Sequence, residues 1–165
     1  MAELEAKYLY PAQLTVAIRP LKITTVLGSC VAVCLYDPVS KIGGINHFML
    51  PLWNGEGLAT PKYGDVAINK LIEAMLAQGA THSRLQAKVF GGSENFNHGE
   101  SVFNIGQRNI IIAKNLLEQH RINILGSSLG GNRGRHIKFL THTGEIFMRY
   151  VKDSKDEKTQ GSYSR

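Results

Sequence analysis

Cysteine is scarce in this chain, with two in 165 residues, and tryptophan occurs once. Two thiols cannot supply the dense disulfide framework of a small secreted domain, so the fold must rest on a hydrophobic core. No apolar run reaches the ~18 residues of a membrane-spanning helix, and no apolar leader stands at the N-terminus. These absences predict a soluble cytoplasmic protein whose thiols stay reduced. Aromatic residues are few, at 8%, and are not interleaved with the basic ones. The excess of 19 Lys and Arg over 13 Asp and Glu therefore reads as attraction toward an acidic partner rather than toward nucleic acid. The most basic short stretch, Arg133-Gly134-Arg135-His136, follows Gly130-Gly131-Asn132. It lacks the Gly-Lys-Ser/Thr ending of a phosphate-binding loop.

A chain of this length is expected to form one domain over residues 1–151 and to bury about 70% of the surface of its unfolded chain. Residues 152–165 are charged and polar and are expected to be a disordered tail. Leu14, Val16 and Ile18 alternate with polar residues as in an edge strand. Val31–Tyr36 and Ile42–Leu50 are apolar runs separated by Asp37-Pro38-Val39-Ser40-Lys41, which predicts a β-hairpin. Pro51–Pro61 is a loop holding Trp53. A helix is predicted over Lys62–Gln78, with Val66, Ala67, Leu71, Ala74 and Met75 on its apolar side and Gly79 as its stop. Further strands are predicted at Leu85–Phe90, Ile122–Leu125, His136–Leu140 and Glu145–Val151. A loop falls at Ser93–Ser101, and a second helix runs from about Gly106 to Gln119 with Ile110, Ala113, Leu116 and Leu117 aligned. This mixture predicts an α/β (α+β) layered sandwich of mixed, largely antiparallel β-sheet with two main amphipathic helices.

Within the hairpin, Cys30 and His47 are the candidates for chemistry. One register sets them directly opposite each other. Shifting each strand by one residue sets Cys30 opposite Met49 and leaves His47 one diagonal step away on the same face. Directly opposed Cβ atoms lie about 4.5–5.5 Å apart and diagonal ones about 7–8 Å, so both registers bring a thiol within reach of an imidazole. A bulge at Gly43-Gly44 changes the parity and separates the pair. A thiol beside an imidazole can act as a nucleophile with its base. The competing reading is packing, since free cysteines and strand histidines are commonly core residues. Cys34 is read as core. Gly28 and Ser29 give the nucleophile a small-residue approach whose amides can support an oxyanion. Thr24 shares the parity of Cys30 and can hold an imidazole nitrogen, whereas Thr25 points to the opposite face. Zinc on Cys30, Cys34 and His47 lacks a well-spaced fourth ligand, so no metal and no cofactor is expected.

Five blocks carry a resemblance. They are Val26-Leu27-Gly28-Ser29-Cys30-Val31-Ala32-Val33, Gly43-Gly44-Ile45-Asn46-His47-Phe48-Met49-Leu50-Pro51, Tyr63-Gly64-Asp65, Lys88-Val89-Phe90-Gly91-Gly92 and Gly130-Gly131-Asn132-Arg133-Gly134-Arg135. In that order they resemble the chemoreceptor glutamine deamidase family, CheD. The resemblance implies a cysteine amidohydrolase that converts glutamine side chains on the cytoplasmic helices of chemoreceptors to glutamate, releasing ammonia. It gives Cys30 as nucleophile, His47 as base and Thr24 as the third, orienting residue. It also implies a CheC-type phosphatase as partner. The family often has an acidic residue just before the last Gly-Gly, where this chain has Ser127-Ser128-Leu129. The alternative is a non-catalytic adaptor that binds the receptor or the phosphatase.

Overall fold

Along Leu21–Leu27, Leu21, Ile23, Thr25 and Leu27 are buried while Lys22, Thr24 and Val26 face outward. That alternation is what a strand covered on one face requires. The next strand, Val31–Asp37, is buried at almost every position because both of its faces are covered. The computed structural model describes residues 4–94 and 104–152. The remainder of the expected loop, from Asn95 to Ser101, and the tail beyond Lys152 lie outside the described residues.

Among the described residues, nine strands form two mixed sheets. In chain order the elements are β1 (Glu5–Tyr8), β2 (Leu14–Ala17), β3 (Leu21–Leu27), β4 (Val31–Asp37), β5 (Ile42–Asn46), α1 (Gly64–Ala77), β6 (Gln86–Gly91), α2 (Ile105–Gln119), β7 (Asn123–Leu129), β8 (Arg135–Leu140) and β9 (Ile146–Tyr150). The four-stranded sheet has the order β1-β3-β8-β9 and the five-stranded sheet β2-β5-β4-β6-β7. Each contains one parallel pair, β1 with β3 and β6 with β7, and is otherwise antiparallel. The expected layered α+β class is thus observed.

Two apolar clusters separate three layers. Val31, Val33, Leu35 and Phe48 pack with Ile68, Leu71 and Met75 of α1 and Ile110, Ala113 and Leu117 of α2. The other face of the same sheet, with Ala32, Cys34 and Ile45, meets Ile23 and Leu27 of β3 and Ile137 and Phe139 of β8. Each fully buried side chain of this size contributes about 1.5–3 kcal/mol of transfer free energy. The buried stripe of α1 uses Ile68 and Ile72 where Val66 and Ala74 were expected, and both of the latter are half-buried. β1 and β3 were not anticipated as separate strands, and β7 runs on through Gly126-Ser127-Ser128-Leu129.

Candidate active site

β3 belongs to one sheet and β4 to the other, so the chain crosses between sheets at Gly28-Ser29-Cys30. This crossing places the Cys30 thiol at the lip of the sandwich, part-exposed, whereas Cys34, four residues further on, is sealed in the core. Burial raises the Cys34 thiol far above its ordinary range, which leaves it unreactive.

The hairpin adopts the second of the two expected registers. Cys34 pairs with Ile45 and Leu35 with Gly44, and beyond the strand ends Val31 bridges Phe48. That register sets Cys30 opposite Met49 and leaves His47 on the same face, one diagonal step away. Gly43 and Gly44 stay in register, and no bulge separates the pair. Two facts confirm the facing of His47. Its neighbour Phe48 packs toward the helices, and its own ring reaches the other way, to β3.

The residue it meets there is Thr25. Thr25 Oγ1 lies 2.7 Å from His47 Nδ1 and donates its hydroxyl hydrogen to the Leu9 carbonyl at 2.7 Å. A hydroxyl has one hydrogen to give. With that hydrogen on Leu9, the Thr25 oxygen must accept from His47, so Nδ1 carries the imidazole proton and Nε2 carries the lone pair. His47 Nε2 is buried and has no partner among the described residues. The ring thus keeps a bare basic nitrogen, on a residue one diagonal step along the hairpin from Cys30.

The expectation for Thr24 is corrected by this geometry. Thr24 pairs with Tyr8 and Lys138 and sits on the outer face of its sheet, away from His47. Parity relates Thr24 to Cys30 only where both belong to one strand. The crossing at Gly28-Ser29 ends that strand, and alternation does not carry across it.

Gly28, Ser29 and Cys30 are tied down by their carbonyls. The Gly28 carbonyl accepts from the Ser93 amide at 3.0 Å, and the Cys30 carbonyl from the Gly92 amide at 2.9 Å. The Ser29 carbonyl accepts from Asn109 Nδ2 at 3.0 Å. In a trans peptide the carbonyl of one residue and the amide of the next point in opposite directions. The Ser29 and Cys30 amides are therefore turned away from these anchors, and neither donates to another residue among those described. Gly91, at φ +111°, is needed here because a Cβ would collide with the Cys30 carbonyl oxygen.

A cavity of about 720 Å³ opens over the thiol, lined by Gly28, Ser29, Cys30, Met49, Leu50, Lys62, Ser93, Glu94, Ile105, Asn132 and Gly134. The Gly-rich loop between β7 and β8 thus forms one wall of the site, which its sequence did not disclose. Burial pushes the Cys30 thiol up, partly countered by its own amide. Burial pulls His47 down to about 4. At neutral pH the resting pair is therefore thiol and neutral imidazole. A separate concavity of about 440 Å³ on the outer face of the four-stranded sheet is lined by Lys22, His136, Lys138 and Arg149 and contains no nucleophile. Among the described residues no group of three or more His, Cys, Asp or Glu gathers, and no helix is long and apolar enough to cross a membrane.

An α+β sandwich with a part-exposed thiol at the crossing between its sheets and a buried, oriented imidazole on the same face of the hairpin defines a candidate thiol site. The family described as CheD chemotactic sensory transduction matches residues 49–150. A protein of Sulfurimonas denitrificans named probable chemoreceptor glutamine deamidase CheD is 52% identical over 151 residues, covering 90% of this chain and 96% of the relative. Proteins of the same name from Trichlorobacter lovleyi and Agrobacterium fabrum are 50% and 40% identical, covering 86% and 87% of this chain and 88% and 78% of their own. The chain belongs to the CheD family. The family match begins just after His47, but the alignment to the first relative is too long to leave out the segment holding Cys30 and His47.

Proposed function

We propose that this protein deamidates glutamine side chains of chemoreceptors, with Cys30 as nucleophile, His47 as general base and acid, and Thr25 as the group that orients the imidazole. The observation that carries this reading is the tautomer of His47, whose Nε2 is left as the basic nitrogen with no partner among the described residues. The names of its relatives supply the substrate class.

The chemistry balances without a cofactor. Cys30 gives its proton to His47 Nε2 as sulfur bonds to the side-chain amide carbon of glutamine, and the carbonyl oxygen becomes an oxyanion held by main-chain amides at Ser29 and Cys30. The C–N bond then breaks as His47 returns its proton to the nitrogen, and ammonia leaves. A water molecule, deprotonated by the neutral His47, attacks the thioester. The C–S bond breaks, sulfur recovers a proton from His47, and the side chain leaves as glutamate. A CheC-type phosphatase belongs to the same reading as a partner, and co-elution of the two purified proteins tests it.

The deciding experiment incubates the purified protein with the cytoplasmic domain of a chemoreceptor from the same organism and follows glutamine-to-glutamate conversion by peptide mass spectrometry. Conversion by the wild type, lost in Cys30→Ala and His47→Ala with the fold retained, is the expected result. Unchanged conversion in Cys30→Ala removes the mechanism and leaves an adaptor role.

A further inference from the structure

Asn109 occupies a position on α2 that packing alone would fill with an apolar side chain. It is fully buried, and its neighbours Ile110 and Ala113 belong to the core between the helices and the five-stranded sheet. An amide in such a place is costly unless it is hydrogen-bonded. Its Nδ2 donates to two carbonyls, Ser29 at 3.0 Å and Met49 at 3.0 Å. The reverse orientation of the amide would set an oxygen against both carbonyls, so the donor assignment follows from the chemistry of the partners.

The two carbonyls come from different segments. Ser29 immediately precedes the thiol residue, and Met49 lies just beyond His47. One side chain therefore spans both halves of the site. The Ser29 carbonyl also shares a rigid plane with the Cys30 amide, and the two point in opposite directions. Holding that carbonyl on Asn109 turns the Cys30 amide away from Asn109. Gly28 and Cys30 have their carbonyls held by the main-chain amides of Ser93 and Gly92. Of the three consecutive carbonyls, only Ser29's depends on a side chain.

We infer that Asn109 is a positioning residue: it fixes the Ser29–Cys30 peptide so that the Cys30 amide is ready for the oxyanion, and it locks that peptide to the segment carrying His47. The inference rests on the thiol-deamidase reading for its chemistry, and on the two hydrogen bonds alone for its geometry.

The test compares wild type, Asn109→Leu and Asn109→Ser as full-length proteins. Leucine keeps the approximate shape and removes both bonds. Serine adds no bulk and serves if the leucine variant fails to fold. Turnover of the chemoreceptor domain forms an oxyanion, whereas alkylation of Cys30 by iodoacetamide displaces iodide and forms none. The expected result is a fall in kcat of about 30- to 300-fold, with KM and the alkylation rate within about threefold of wild type. A kcat within about threefold of wild type overturns the inference, and so does a parallel fall of kcat and alkylation, which marks general loosening of the site. Carbonyl ¹³C shifts of Ser29 and Met49 read the geometry without turnover. Both are expected to move in the variants, and unmoved shifts overturn the inference. A wild type that deamidates nothing sinks the functional reading instead, and the carbonyl shifts then decide the positional role of Asn109 alone.

Discussion

Thr25 Oγ1 and His47 Nδ1, 2.7 Å apart, form a direct side-chain hydrogen bond between the two sheets at the site. Its strength as an orienting device comes from the second bond of the same hydroxyl, to the Leu9 carbonyl, which leaves the threonine no hydrogen to offer the ring. Thr25→Val keeps the shape and removes the oxygen. Loss of the favoured tautomer is expected to lower kcat by about 10- to 100-fold. Thr24→Val, on the outer face, is expected to stay within about twofold, because that hydroxyl touches neither reacting group. Steady-state kinetics of the two variants side by side checks both, and a severe effect confined to Thr24→Val would reverse the assignment.

The pH dependence follows from burial. In the proposed mechanism His47 acts as base in its neutral form, and its pKa is pulled down to about 4, so activity is expected to persist well below the ordinary histidine range and to be lost as pH falls through about 4. The Cys30 thiol is raised, so its alkylation by iodoacetamide should climb with pH and reach half-maximum above the ordinary thiol value near 8.5. An acid limb near pH 6.5 in kcat/KM would contradict the buried environment given to His47. The same shift makes a stability statement. The unfolded chain protonates His47 first, so folding stability contributed by the neutral ring is complete above pH 6.5 and declines as pH falls toward 4. His47→Gln is expected to flatten that decline.

Gly91 sits against the main chain of Cys30. Its φ of +111° disfavours any side chain, and a Cβ there would strike the Cys30 carbonyl oxygen that Gly92 holds. Gly91→Ala is expected to cost about 2 kcal/mol or more in stability and to displace the thiol, measured by urea unfolding together with Cys30 alkylation. Gly130→Ala has open space around its Cβ and only its own positive φ to oppose it, so its cost is expected to be smaller.

How much of this was legible in the sequence depended on distance along the chain. The hairpin was readable because both strands and their turn lie within one stretch, and both registers open to it put Cys30 and His47 on one face; the structure adopts the second of them, without a bulge. Thr25 was misread because alternation holds only inside a strand, and nothing in Gly28-Ser29 announces that the chain changes sheets there. Asn109 carries a signal of its own in the sequence: a polar amide beside Ile110 on the apolar stripe of α2 has to find partners. The partners themselves, Ser29 and Met49, are contacts across most of the fold. Asn132 and Gly134 likewise reach the site only because β8 returns beside β3.

Asp37 anchors the far end of the hairpin. It is fully buried, and its Oδ1 accepts from the Val39 amide at 2.9 Å, the Ser40 amide at 3.3 Å and Arg84 Nε at 3.0 Å, while Oδ2 accepts from the Thr81 amide at 2.8 Å. Burial by itself would raise this carboxyl. The Arg84 guanidinium and the amides of Thr81, Val39 and Ser40 outweigh it and hold the group below the ordinary carboxylate range. The carboxylate thus joins the turn after β4 to the segment entering β6. Asp37→Asn keeps the shape but sets an NH2 group against at least one donor, whichever way the amide turns, and leaves Arg84 without its charge partner. The expected loss is about 3 kcal/mol at neutral pH, of the size seen when one member of a buried pair is removed. Because the folded carboxyl titrates below the unfolded value of 3.8, the stabilisation is present above that pH and is lost as pH falls further. Urea unfolding followed by circular dichroism should therefore show a wide gap between wild type and Asp37→Asn at pH 7 that narrows below pH 3.8. A gap that stayed constant through that range would mean that the carboxylate charge contributes nothing to the turn.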